Sequence, residues 1–295
     1  MMSSTLSRPV HTDLGLFAIT TAVLTGVPFL ILLLTGWDVR SAPGLWVFGV
    51  GTSGPSLAAL LVFLVWSRRR RRDLRRRVAA PWLWMPAALV LGILPTVIAN
   101  LLNDPGSIAT AVIHAPEVLA GFGGGLLFVV LFVIAGPIAE EFGWRGFVQP
   151  RLRLHRTPIR TAVVLGSAWA LWHIPLYFLP GTGQYQTGLF TLGGLSFVLS
   201  CVPMSLVYLF VSERLGGQVW AAIVIHFAAN AIGAFFPSED PAVLITQLVV
   251  ALALAGLVLL AWGPGRGAVH PADAGSGDGS DVRRRAGSRQ AATAA

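Results

Sequence analysis

The stretch from Gly121 to Arg145, GFGGGLLFVVLFVIAGPIAEEFGWR, decides how the chain is read. It carries no charge from Gly121 to Ala139 and ends on two adjacent carboxylates, Glu140 and Glu141, with Arg145 shortly after. At about 1.5 Å per residue such a run is long enough to cross roughly 30 Å of hydrocarbon as a helix. A carboxylate at membrane depth costs roughly 2.5–3.5 kcal/mol on insertion scales, so an ionisable residue there points to function. Gly136-Pro137 stands just before the pair. The proline removes a backbone donor and frees the carbonyl of Val133, which predicts a kink that re-aims the acidic end of the span.

The rest of the chain has the same character. Of 295 residues 55% are hydrophobic and 12% charged, and the mean hydropathy is +0.72. A soluble domain is nearer 25% charged, so the composition is that of a polytopic membrane protein. Cys201 is the single cysteine, which excludes a disulfide within the chain and a multi-cysteine metal site. The net charge of +8 comes from arginine alone, since the chain has no lysine. These arginines cluster beside apolar runs, as positive-inside topology requires, so we expect no nucleic-acid partner.

Eight stretches are long and apolar enough to span, at about 14–36, 44–66, 81–102, 119–141, 161–180, 187–211, 218–236 and 243–262. The first has no small-residue cleavage site after it, so it reads as a span and not as a signal peptide. Loop 67–80 holds Arg68 to Arg72 and Arg75 to Arg77 and is placed in the cytoplasm, which puts both termini inside. The arginines of loop 142–160 agree, as do loops 103–118 and 237–242, which carry acids and no arginine. Arg40, beside Asp38, is the one exception. The fold class is therefore all-α, a polytopic transmembrane bundle of about eight helices. A short cytoplasmic N-terminus over 1–13 precedes the transmembrane domain, 14–262. A disordered, basic cytoplasmic tail over 263–295 follows, too poor in apolar surface to order itself. Pro28, Pro95 and Pro203 interrupt other spans and predict further kinks.

Three groups of residues carry chemistry. Glu141 and Arg145 are four apart and meet as an ion pair on a continuous helix, while Glu140 is rotated by about 100° and left without that partner. Two identical carboxylates are thereby divided between roles, one neutralised and one free. His173 lies in Trp169-Ala-Leu-Trp-His173, where Trp169 shares its helical face and can wall the imidazole. His226 and Asn230 also share a face, among Ala228, Ala229 and Ala231, which permit close helix packing. Each group has a bland reading: interfacial acids beside an arginine, a buried histidine bonded to a carbonyl, a polar pair gluing two helices. One shared cavity explains all three together. No His-Glu-x-x-His, no G-x-S-x-G around Ser167 and no phosphate-binding glycine loop is present.

These motifs, in this order, resemble the CAAX protease and bacteriocin-processing (CPBP) family of intramembrane endopeptidases, which includes the type II CAAX prenyl endopeptidases. The family pattern is Glu-Glu-x-x-x-Arg, Phe-x-x-x-His and His-x-x-x-Asn/Asp. It is met by Glu140-Glu141-x-x-x-Arg145, by Trp169-x-x-x-His173 with tryptophan in place of phenylalanine, and by His226-x-x-x-Asn230. The resemblance covers about residues 119–236, which would be the protease core. It implies an endopeptidase cutting a peptide bond near the cytoplasmic face of a bacterial plasma membrane, on a peptide or protein substrate that is prenylated or membrane-associated. Glu140 would be the general base, His173 would hold the same water, and His226 with Asn230 would stabilise the oxyanion; Glu141, Arg145 and Trp169 would support them. A zinc ion on Glu140, His173 and His226 is the competing account, since two histidines and a carboxylate suit a catalytic site. Asn230, placed four residues after His226, suits oxyanion binding better, so metal-free catalysis is favoured. A transporter or proton relay, and a non-catalytic immunity or scaffolding protein, are the alternatives of other classes.

Overall fold

The structure, a computed structural model, describes residues 10–67, 81–238 and 240–262. The arginine run from Arg68 to Arg77, Glu239, the expected tail 263–295 and most of the N-terminal segment lie outside the described residues. Ten principal helices follow in chain order: α1 (Val10–Thr35), α2 (Gly44–Thr52), α3 (Gly54–Val62), α4 (Trp84–Asn103), α5 (Ser107–Gly121), α6 (Gly125–Arg153), α7 (Pro158–His173), α8 (Leu192–Glu213), α9 (Gln218–Phe235) and α10 (Pro241–Ala261). No strand occurs among the described residues, and the chain is an all-α polytopic bundle.

Seven of these helices are long and apolar enough to cross a membrane. The eighth expected span, 44–66, is broken: α2 and α3 meet at 47° around Ser53, so they form either one bent span or a re-entrant pair. Pro55 in the first turn of α3 is suited to a helix start, because its missing N–H would have no helical partner there. Most of the expected outside loop 103–118 is helical and forms α5, which is shorter than the candidate spans. Gly123 and Gly124, at φ of +82° and +106°, separate α5 from α6 in a conformation that L side chains rarely adopt.

The span carrying the two carboxylates begins at Gly125, not at 119, and runs on to Arg153. Glu140 and Glu141 are therefore inside the helix and not at its end. Its winding is irregular in the expected place. Ile134–Ile138 and Phe142–Val148 are π-helical, on either side of the single α-turn Ala139–Glu141. Pro137 accounts for the first of these by removing a donor, and such bulges gather at functional sites. Helices α1, α4 and α8 pass through Pro28, Pro95 and Pro203 as unbroken elements.

Small residues set the helix spacing. A Cβ built on Gly92 of α4 would lie 2.6 Å from the Ile225 carbonyl oxygen and 2.8 Å from Ala228 Cβ. On Gly166 of α7 it would lie 2.6 Å from Val202 Cα of α8, and on Gly143 of α6 it would lie 2.5 Å from the Pro55 carbonyl of α3. Backbones approach this closely where no side chain intervenes, the packing mode of helices in lipid. Three apolar clusters result. One joins α1, α3, α6 and α7 around Phe17, Phe29, Trp144 and Trp169. A second joins α8 to α10 around Leu209 and Trp262, and a third joins α4, α8 and α9 around Tyr208 and Ile225.

Candidate active site

The bundle brings the three sequence groups to one place. Glu140, Trp169, His173, His226 and Asn230 line a cavity of about 440 Å³ between α6, α7, α8 and α9. Apart from Asn230, whose residue surface is exposed, these side chains are buried, with Glu140 and both histidines each 5% exposed. Gly136 opens the wall opposite: a Cβ there would meet Asn230 Nδ2 at 3.1 Å and His226 Nε2 at 3.4 Å.

The expected division of the carboxylates is present. Arg145 Nη1 donates to Glu141 Oε1 at 3.0 Å, with both side chains fully buried. Glu140 stands outside that ion pair, although one of its oxygens lies within 4.8 Å of a Glu141 oxygen. It is not without a partner, however: Trp169 Nε1 donates to Glu140 Oε2 at 2.8 Å. Trp169 thus does more than wall His173, which its ring meets edge-on at 5.1 Å between centroids. The Arg145 guanidinium also lies 4.3 Å from the Trp169 ring centroid and 4.6 Å from that of Tyr208. A cation sandwiched between two ring faces is attracted by both quadrupoles, and more strongly where water is excluded.

The histidines are oriented by their Nδ1 atoms. His173 Nδ1 donates to the Trp169 carbonyl at 2.8 Å, which leaves Nε2 of the neutral ring as an acceptor. His226 Nδ1 lies 2.8 Å from Glu141 Oε1, the oxygen that Arg145 also reaches. With that proton directed at the carboxylate, His226 donates at Nε2 only as an imidazolium, whereas the Asn230 amide donates as it stands.

Sequence reasoning missed the contribution of α8. Arg145 Nη2 donates to Ser205 Oγ at 3.2 Å, and Tyr208 and Cys201 line the cavity with Ser200 and Phe197. A signal was available, because Cys201, Ser205, Tyr208 and Ser212 recur at helical spacing along an otherwise apolar span. Also missed was Thr25 of α1, whose hydroxyl takes the Trp172 indole N–H at 3.1 Å and tethers the helix bearing His173.

Among the described residues, ligand atoms of Glu140, Glu141 and His226 lie within 4.8 Å of one another. This differs from the expected zinc set, which held His173 and not Glu141. Within this set Glu141 Oε1 is an unfavourable ligand for a cation. Glu141 Oε1 already accepts from a guanidinium and an imidazole, and a guanidinium 3.0 Å from a ligand oxygen opposes a second positive charge.

Comparison with known proteins agrees with the motifs. Residues 122–232 match the family model described as type II CAAX prenyl endopeptidase Rce1-like. The chain is also similar to CAAX prenyl protease 2 of Methanococcus maripaludis, at 28% identity over 164 residues. That match covers 52% of this chain and 55% of the relative, so the likeness spans about half of each. The matched stretch, residues 122–232, contains the whole cluster from Glu140 to Asn230, and over it the chain is similar to the Rce1-like type II CAAX prenyl endopeptidases.

Proposed function

We propose that the protein is an intramembrane endopeptidase in which Glu140 activates the hydrolytic water. One observation carries this reading: a buried carboxylate, oriented by the Trp169 N–H, opens onto a cavity shared with His173, His226 and Asn230. Water held between Glu140 and His173 Nε2 gives its proton to Glu140 as its oxygen attacks the scissile carbonyl. The oxyanion is met by the Asn230 amide, where a single donor is worth roughly 3–4 kcal/mol. Glu140 then passes the proton to the departing amine, and the C–N bond breaks. Glu141, Arg145 and Ser205 hold His226 in place. No step requires a metal.

The substrate we assign is a prenylated or otherwise membrane-associated peptide or protein, cut near the cytoplasmic face of a bacterial plasma membrane with both termini inside. The test is cleavage of a fluorogenic prenylated CAAX peptide by purified protein in detergent, run with Glu140→Gln in parallel and with and without a zinc chelator. Activity that resists chelation and is lost in Glu140→Gln supports the reading. Activity that the chelator removes overturns the metal-free mechanism, and an active Glu140→Gln overturns the role of Glu140.

A further inference from the structure

Nine buried side-chain polar atoms lack a hydrogen-bond partner among the described residues, and five of them fall on one column. They are Glu141 Oε2, Arg145 Nε, Gln149 Oε1, Thr161 Oγ1 and Ser212 Oγ. Such clustering sets this column apart, because an unpartnered buried polar group costs roughly 1–3 kcal/mol and is seldom left so.

Register places three of these residues within about one helical turn of one another. Arg145 pairs with Ser205 and Arg153 pairs with Glu213, each sixty residues apart, so this part of α6 and α8 run parallel with a constant offset. Gln149 lies midway between those two contacts, and Ser212 one helical turn from its level. Helix α7 runs the other way. Trp169 meets Glu140, and eight residues earlier, about 12 Å toward the arginine-bearing end, comes Thr161. Gln149 is a similar distance along α6 from Glu140. Gln149, Thr161 and Ser212 are 3%, 0% and 6% exposed. Below this level the Arg153–Glu213 pair, with bonds of 2.9 and 3.0 Å, closes the column, and there Glu213 reaches solvent with its side chain 21% exposed.

We infer that Gln149, Thr161 and Ser212 form a buried water-binding layer that joins the Arg153–Glu213 pair to Glu141 and Arg145 behind the candidate active site. Water is the ligand whose chemistry matches: the layer offers an amide oxygen and two hydroxyls within about one helical turn, in a polar site within otherwise apolar packing, and an internal water takes two to four such partners. The layer is separate from the substrate cavity, which none of the three residues lines. Its role, which rests on the proposed function, is to keep a hydrogen-bonded route to the glutamate pair while substrate fills the cavity. Gln149, Thr161 and Ser212 are positioning residues in this scheme and touch no substrate.

The test has two arms. In the first, a density map of the protein in lipid nanodiscs, at a resolution that shows ordered water, is read at the layer. Water bridging Gln149 to Thr161 or Ser212 supports the site. The three side chains bonded directly to one another, with no water, overturn it whether or not any peptide is cut. In the second, Thr161→Val combined with Ser212→Ala is assayed with the prenylated peptide. We expect kcat to fall about tenfold with KM unchanged, an altered solvent isotope effect, and recovery in Thr161→Ser with Ser212 restored. A bridged layer with unchanged kcat and isotope effect overturns the route. A wild-type protein that cuts nothing overturns the proposed function, and the map still decides the water site.

Discussion

Under the proposed function the base is the Glu140 carboxylate, which is buried and hydrogen-bonded to Trp169. Replacing it with the isosteric glutamine keeps the shape and the bond from Trp169 while removing the base. We expect Glu140→Gln to cut less than a thousandth as fast as wild type, within the roughly 10²–10⁴-fold range of general-base catalysis, with an unchanged melting curve in detergent. Trp169 allows a finer cut. Trp169→Phe keeps a ring near Arg145 and His173 and deletes only the indole N–H that donates to Glu140. A hydrogen bond to a charged group is worth about 1.5–3 kcal/mol, so kcat/KM should fall by roughly ten- to a hundredfold while the protein stays folded. An unaltered kcat/KM would mean that Glu140 is held by something else.

Among the elements, α6 is the one on which the site depends, because it carries both carboxylates and their arginine between two π-helical segments. The Glu141–Arg145 pair fixes its rotation against α8 and α9 through Ser205 and His226. Arg145→Met removes one member of a fully buried pair and leaves Glu141 with its His226 contact but no guanidinium. We expect a loss of roughly 3–5 kcal/mol, read as an earlier unfolding transition in detergent. Packing of α6 on α3 gives an independent prediction. Gly143→Ala would force a Cβ to within 2.5 Å of the Pro55 backbone and should destabilise by roughly 1–3 kcal/mol. Gly256→Ala on the exposed side of α10, where a Cβ meets nothing within 4 Å, is the control and should be neutral or mildly stabilising. Equal stability of the two variants would show that α3 and α6 are not in close contact.

Taken whole, the molecule is a helical bundle with apolar side chains such as Leu126, Leu171 and Leu199 facing outward. Under the proposed orientation, cysteines introduced at Asp104 and at His155 should be labelled by an impermeant maleimide from opposite sides of a membrane vesicle. Cys201 is buried and should contribute no background. Labelling of both from one side would overturn the arrangement of α4 to α6.

The sequence by itself determined the all-α membrane architecture, the approximate position of each long span, and the pairing of Glu141 with Arg145. Each of these depends only on apolar length or on spacing within one helix, which the chain states locally. Three motifs on separate spans also named the residues that meet. Only the tertiary structure decided that Glu140 is held by Trp169, that His226 shares an oxygen with Arg145, and that Ser205 and Tyr208 complete the cluster. It alone showed that the second span is bent and that residues 107–121 are helical. These contacts join residues up to 85 positions apart. They depend on how each helix is turned and shifted against its neighbours, which close glycine contacts and a π-helical segment set in three dimensions and no run of residues records.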